Sequence, residues 1–303
     1  MLGRVAGSLA ILLLFVGYDS AETITTHPWP GVTFEREVRV DPAQRIFVIT
    51  VDLGDPHIHL RVSRGGGDAK LTLPWEVTLM PVSQMAARDG LAIAVNGNLF
   101  AGKDYQDILG FKFYYFAGNW ARACGWAMSD GKLFSEHPLD PDWPSLVVDD
   151  AGRAYITHLK SVPENARQIV SGIWQIVGDG RETALYPGDD AINPAPHTAV
   201  ALDREGKTLT IFVVDGRRSD YSAGMSWRQI AQELLARHAW DAILLDGGGS
   251  TTLVMRNSRG EEELINRPSD GHDLPMNPSM ERSVACALGV VIDGATTRGV
   301  EGR

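Results

Sequence analysis

Leu244-Leu245-Asp246-Gly247-Gly248-Gly249-Ser250-Thr251-Thr252 decides how the rest of the chain is read. An apolar run, starting at Ala242 or Ile243, ends in a carboxylate, three glycines and three hydroxyls. The run has the composition of a buried strand. Glycine admits left-handed backbone and the close approach of a ligand. Consecutive glycine amides form a concavity suited to an anion such as phosphate. A carboxylate at the carboxyl end of a strand stands where α/β sheets usually meet ligands. The stretch reads as a site holding an anionic group beside a carboxylate. A tight glycine turn capped by Asp246 is the plain alternative.

Upstream, the apolar run 209–214 ends in Asp215-Gly216-Arg217. Ser226 follows as a helix N-cap, with Trp227, Ile230, Ala231, Leu234 and Leu235 at helical spacing. Strand, helix and strand predict a C-terminal βαβ unit, which brings Asp215 and Asp246 to the same end of two parallel strands. The backbones would lie about 5 Å apart for neighbouring strands and about 10 Å apart with one strand between.

Alternation or apolar runs predict further strands over 32–40, 46–53, 57–62, 91–95, 146–148, 154–157, 168–177 and 284–292. Residues 252–255 and 261–264 read as a hairpin, and 78–89 as a helix stopped by Gly90. The 91–95 strand runs into Asn96-Gly97-Asn98-Leu99-Phe100, a second strand-to-turn site that also reads as a plain Asn-Gly turn. The fold class is α/β or α+β, with mixed sheets and a few helices in a single large domain over 30–292.

The 303 residues are 44% hydrophobic and 22% charged, ordinary for a folded protein. A net charge of −10 argues against general nucleic-acid binding, which needs a basic surface. It leaves room for a small phosphodiester at one local site. Arg4 followed by the short apolar run 9–16 reads as a signal peptide or uncleaved anchor over 1–21. The protein is then expected to be exported: periplasmic, secreted or anchored, touching a membrane only through that segment. Residues 22–29 read as a linker and 293–303 as a polar tail. Cys124 and Cys286 fit either one disulfide or two buried thiols. His57 and His59 share a strand face, more in keeping with its polar side than with a metal pair. Aromatic residues from Tyr105 to Trp143 fit a sugar-stacking wall or core and hairpin packing.

Taken in order, several motifs resemble the phosphodiester glycosidase family. They are Asn96-Gly97-Asn98-Leu99-Phe100, His197-Thr198-Ala199, Asp215-Gly216-Arg217, Ser222-Ala223-Gly224-Met225-Ser226, Asp246 to Thr252, Asn266-Arg267-Pro268-Ser269-Asp270 and Glu281-Arg282-Ser283-Val284. The resemblance spans roughly 30–292. It implies a mixed α/β domain that hydrolyses the bond between a sugar anomeric carbon and a phosphodiester oxygen. The family commonly has Arg-Thr-Ala where this chain has His197-Thr198-Ala199, which removes a permanent cation.

Cleavage at an anomeric carbon passes through an oxocarbenium-like state that carboxylates stabilise. Asp246 and Asp215 are the candidate base, nucleophile or stabiliser, and Asn96 the group orienting sugar or water. The amides of Gly247, Gly248 and Gly249, with Ser250 and Thr251, form the expected phosphate cradle, aided by Arg217 and His197. Asn98, Asn266 and Asp270 complete the candidate binding residues. Each also has a plain structural reading: turn former, solvated charge or brace. Glu281 and Arg282 are expected to form a structural ion pair. No cofactor is required; a divalent cation such as Ca²⁺ fits acidic loops, but no EF-hand-like spacing is present. The partner is a carbohydrate or glycosyl phosphodiester. A non-catalytic carbohydrate- or envelope-polysaccharide-binding protein with the same pocket is the rival reading.

Overall fold

The computed structural model describes residues 22–67, 75–106, 112–113, 115–137, 143–184, 192–270 and 280–294. The expected signal segment, most of the polar tail, Phe111 and Tyr114 lie outside them. The described chain is largely β, with two helices and several antiparallel sheets.

Eight strands form the largest sheet. In spatial order they are Glu22–Trp29, Val32–Val40, Ala43–Asp52, Thr208–Val214, His197–Leu202, Asp241–Leu244, Trp174–Gly178 and Arg181–Glu182. Period-two alternation buries both faces. Phe47, Ile49 and Val51 face one core, whereas Ile46, Val48, Phe212 and Val214 face another. The second core is closed by helix α2, Trp227–Ala236, through Trp227, Ile230, Ala231 and Leu234. Ser226 caps α2 in a reciprocal capping box with Gln229, as its N-cap reading expects.

The first core is shared with a five-stranded sheet ordered Glu262–Leu264, Leu253–Arg256, Ile93–Asn96, Cys286–Ile292 and Ile58–Arg64. On its far side lies helix α1, Val82–Asp89, packed through Val82, Met85 and Ala86. Helix, sheet, sheet and helix thus stack as layers. Another five-stranded antiparallel sheet, including Ala166–Ser171 and Pro144–Asp149, adds Leu146, Val148 and Val170 to the shared core.

Three expectations need correction. The 22–29 linker is an edge strand, paired with Val32–Val40; the register shifts around Pro28, and an edge tolerates proline. The 78–89 helix starts only at Val82, because Val77–Thr78 is a strand and Pro81 holds an extended backbone at the N-cap. The single strand 168–177 is two strands in different sheets, parted at Gly172, where a side chain would run into the Leu244 carbonyl and the Ile243 side chain. Of the two spacings left open for the βαβ strands, the structure has the one with a strand between. Thr208–Val214 and Asp241–Leu244 each pair antiparallel with His197–Leu202 between them, so they run parallel to one another without touching. All assigned strand pairs are antiparallel, which favours the α+β alternative.

That interposed strand positions the site. His197 pairs with Val214, and Ala199 with Leu244. Asp215, His197 and Asp246 consequently leave the sheet at one edge. Phe212 is fully buried against α2 beneath that edge. Phe212→Ala is expected to lower stability by about 3–5 kcal/mol, read as a drop in the urea midpoint at unchanged slope.

Candidate active site

Asn96 ties this edge to the second sheet. Its Nδ2 donates to the Asp246 carbonyl at 2.6 Å, and its Oδ1 accepts from Thr198 Oγ1 at 2.7 Å and the Thr252 amide at 3.2 Å. The Asp246 amide donates to the Gly97 carbonyl at 3.1 Å. Every polar side-chain atom of Asn96 is engaged inside the protein, and it anchors Asp246. Asn98 behaves likewise: its Nδ2 donates to the Cys124 and Trp126 carbonyls, and its Oδ1 accepts from the Ser171 amide. Cys124 and Cys286 are both free and buried, and burial pushes both thiols up, to about 11 and about 12.

Asp215 reaches the same edge but is saturated. Asn266 Nδ2 donates to it at 2.9 Å, the Arg267 amide at 3.0 Å and Tyr221 Oη at 3.1 Å. Burial raises its pKa against the pull of these bonds. Asn266 Nδ2 also reaches the Thr251 carbonyl at 3.0 Å, and its Oδ1 accepts from the Leu253 amide at 2.7 Å. Asp215 and Asn266 together clamp the 266–270 loop to the end of the glycine turn.

Two of the three amides of the expected cradle are engaged inside the protein. The Gly247 amide donates to Asp246 Oδ1 at 2.9 Å and the Gly248 amide to the Pro196 carbonyl at 2.9 Å. The glycines also permit close packing. A Cβ on Gly247 would lie 3.1 Å from His197 Nδ1, and one on Gly248 2.9 Å from Arg217 Nη2. One on Gly249 would fall inside the Asp270 carboxylate and the Arg282 guanidinium. Gly248 also has φ +62°, which favours glycine. The turn is bare so that three different polar groups can close on it.

Those groups differ in charge. Arg217 is exposed, has φ +62°, and its guanidinium makes no ion pair or side-chain hydrogen bond among the described residues. A non-glycine residue held left-handed stores backbone strain, a frequent mark of functional positions. His197 is only 6% exposed, and neither ring nitrogen has a partner. Burial, then the charge of Arg217, lowers its pKa to about 4, so it is neutral at physiological pH. Thr251 and Thr252 also bury hydroxyls without partners, while Ser250 Oγ lies 3.4 Å from Arg282 Nη1. Arg282 holds Asp270 in a two-pronged pair, Nε to Oδ2 at 2.7 Å and Nη2 to Oδ1 at 2.9 Å.

The expected Glu281–Arg282 pair is therefore replaced. Glu281 instead accepts from the Ser83 amide at 2.8 Å and the Ser83 hydroxyl at 2.6 Å, at the start of α1. Arg282 is the residue that motif reading set aside as a brace; its place beside the site depends on Asp270, twelve residues away in sequence. Asp246 lies at the centre, 7% exposed. Burial raises its pKa to about 6, against the opposing pull of Ser250, Arg282 and the Gly247 amide. No group of three or more His, Cys, Asp or Glu among the described residues is placed to hold a metal ion. His57 precedes its strand, and His59 meets Asp293 at 3.3 Å.

A two-sheet α+β scaffold thus delivers a buried carboxylate, an unpaired arginine and a neutral histidine to one corner. The profile of the phosphodiester glycosidase family matches residues 89–291, well over half of the chain, and the chain belongs to that family. The fold is similar to that of the zebrafish N-acetylglucosamine-1-phosphodiester alpha-N-acetylglucosaminidase catalytic domain auto-inhibited by pro-peptide. That likeness has TM-score 0.60 and 21% identity, over 89% of this chain and 87% of that one. A hypothetical protein from Synechocystis matches with TM-score 0.56 and 14% identity, over 90% of this chain and 64% of that one. A Burkholderia pseudomallei K96243 protein classed by name as exported matches with TM-score 0.56 and 14% identity, over 82% and 74%. No curated protein matches the sequence.

Two substitutions test this architecture. Asn96→Ala leaves the Asp246 carbonyl and the Thr252 amide short of a partner, and is expected to cost about 2–4 kcal/mol in urea unfolding. Gly249→Ala is expected to break the Asp270–Arg282 pair, visible as loss of Tyr115–Arg282 stacking in a crystal structure of the variant.

Proposed function

We propose that this protein is an exported hydrolase that cleaves the bond between a sugar anomeric carbon and a phosphodiester oxygen, on a glycan or exopolysaccharide-related substrate. The observation that carries this reading is Asp246, buried on a glycine turn beside the unpaired cation of Arg217. Membership of the family supports the reaction type. Export is supported by the Arg4 and apolar 9–16 pattern and by the likeness to a protein classed by name as exported. No helix among the described residues is long and apolar enough to cross a membrane.

Departure of a phosphodiester from the anomeric carbon leaves an oxocarbenium-like centre. The leaving oxygen belongs to a weak base, so holding its charge matters more than protonating it. Arg217 supplies that charge, and its lack of a partner means no ion pair must break first. Asp246, ionised above about pH 6, stabilises the positive centre and takes a proton from the attacking water. The water oxygen ends on the anomeric carbon, and its proton passes through Asp246 to solvent. The breaking C–O bond leaves its electron pair on the phosphate oxygen. The products are a free sugar and a phosphomonoester. Asp215 acts as a positioning residue, since its oxygens are already engaged. His197 in place of the family's arginine is what favours the rival reading, a carbohydrate-binding protein without turnover.

Asp246→Asn is expected to lower release of free sugar from a panel of glycosyl phosphodiesters by about a thousandfold, with substrate binding changed less than about threefold. Absence of release by the unsubstituted protein, with binding retained, selects the rival reading. In the active protein, kcat/KM should rise with pH through about 6, the limb set by Asp246.

The same carboxylate has a stability signature. Its folded pKa of about 6 lies above the ordinary carboxylate value, so the folded state holds its proton more tightly. Stability should fall as pH rises from about 4 to about 6. Asp246→Asn removes this cost, so it should stabilise the protein at pH 7.5 by up to about 3 kcal/mol and by almost nothing below pH 4, measured by urea titration.

A further inference from the structure

Three of the seven large apolar side chains exposed among the described residues, Tyr115, Phe116 and Met280, lie on the two segments that meet at one ion pair, Asp270–Arg282. The Tyr115 ring lies over the Arg282 guanidinium at 4.3 Å and meets Phe100 edge-on at 5.7 Å. Phe116 follows it in the chain. Met280, two residues before Arg282, donates its amide to the Asp270 carbonyl at 3.1 Å. Exposed apolar side chains scattered singly need no explanation, whereas a cluster beside a polar pocket marks a recognition surface.

The two flanks of the glycine turn are chemically opposite. On the Gly248 side stands Arg217, a full positive charge without a counter-ion among the described residues. On the Gly249 side the arginine is already neutralised, and its pair with Asp270 presents fixed polar edges beneath an aromatic ring. A phosphate seeks the unpaired cation. A sugar ring has hydroxyls at its rim and an apolar C–H face, and is matched by oriented polar groups beside aromatic surface. Asp246 opens the glycine turn, and Arg282 and Asp270 both act electrostatically upon it.

The geometry points to a sugar-ring subsite on the Gly249 side, made by Asp270, Arg282 and Tyr115 and rimmed by Phe116 and Met280, with the phosphate on the Gly248 side at Arg217. The identity of the ligand rests on the hydrolase reading above. What is added is the orientation of the substrate and the residues that select its sugar. Asp246 then meets the anomeric carbon where the two halves of the substrate join. Sugar preference belongs to residues 115–116 and 280–282, far in sequence from the glycine turn.

The test uses the full chain and two separate probes: a panel of methyl hexosides and methyl N-acetylhexosaminides, followed by saturation-transfer NMR, and inorganic phosphate, followed by calorimetry. Tyr115 and Arg217 are both exposed, so Tyr115→Ala and Arg217→Gln should fold. Tyr115→Ala is expected to weaken glycoside binding about tenfold and leave phosphate binding unchanged. Arg217→Gln is expected to weaken phosphate binding about tenfold and leave glycoside binding unchanged. The assignment is overturned if the unsubstituted protein binds no glycoside, if Tyr115→Ala leaves glycoside binding intact, or if either variant weakens both probes equally. Probes that partition as stated, in a protein that releases no sugar from any glycosyl phosphodiester, leave the subsites standing and remove the hydrolase reading.

Discussion

The hydrogen bond from Asn96 Nδ2 to the Asp246 carbonyl joins two sheets that share no strand. One carries Asp246 at the end of Asp241–Leu244; the other carries Asn96 at the end of Ile93–Asn96. Between them lies the largest core, which holds the sheets face to face but does not by itself fix their ends. The amide does so, because its oxygen is also spent on Thr198 and Thr252. A buried network whose members are all satisfied is rigid, and losing one member strands the rest. The Asp246 carboxylate owes its position to this anchor.

The glycine turn solves a crowding problem. His197, Arg217 and the Asp270–Arg282 pair each approach a different glycine, closer than any side chain would permit. The resulting corner is dense in polar groups yet nearly closed to water, so the Asp246 carboxylate is raised by burial toward the middle of the physiological range. That is useful for proton transfer and costly for stability, a common compromise at reactive sites. The unpartnered nitrogens of His197 and hydroxyls of Thr251 and Thr252 belong to the same compromise.

Some of this was legible in the chain and some was not. The Ser226 N-cap, the Gly90 stop and the alternation of 32–40 are local patterns, and each forms as read. The edge strand Glu22–Trp29 was hidden by Pro28, whose penalty vanishes where no ladder bond is required. The break at Gly172 was hidden because an apolar run looks the same whether one sheet or two receive it. Within the site, Asp246, Arg217 and Asp270 stood out by residue type and motif. Tyr115 was one of many aromatics in a stretch read as a sugar-stacking wall or as core and hairpin packing, and Arg282 was paired with the wrong acid, because neighbours in sequence compete with partners that only folding brings near.

The sequence by itself determined the family, the end-of-strand placement of both aspartates and the bare turn that follows Asp246. Those are properties of residue type and spacing along one stretch of chain. Tertiary structure alone decided that His197–Leu202 slips between the two parallel strands, that Asp215 and Asn96 spend their polar atoms on the scaffold, and that Arg282 closes on Asp270. The physical reason is that a polar side chain takes its role from the partners that reach it. For these residues the partners lie between 6 and 156 positions away.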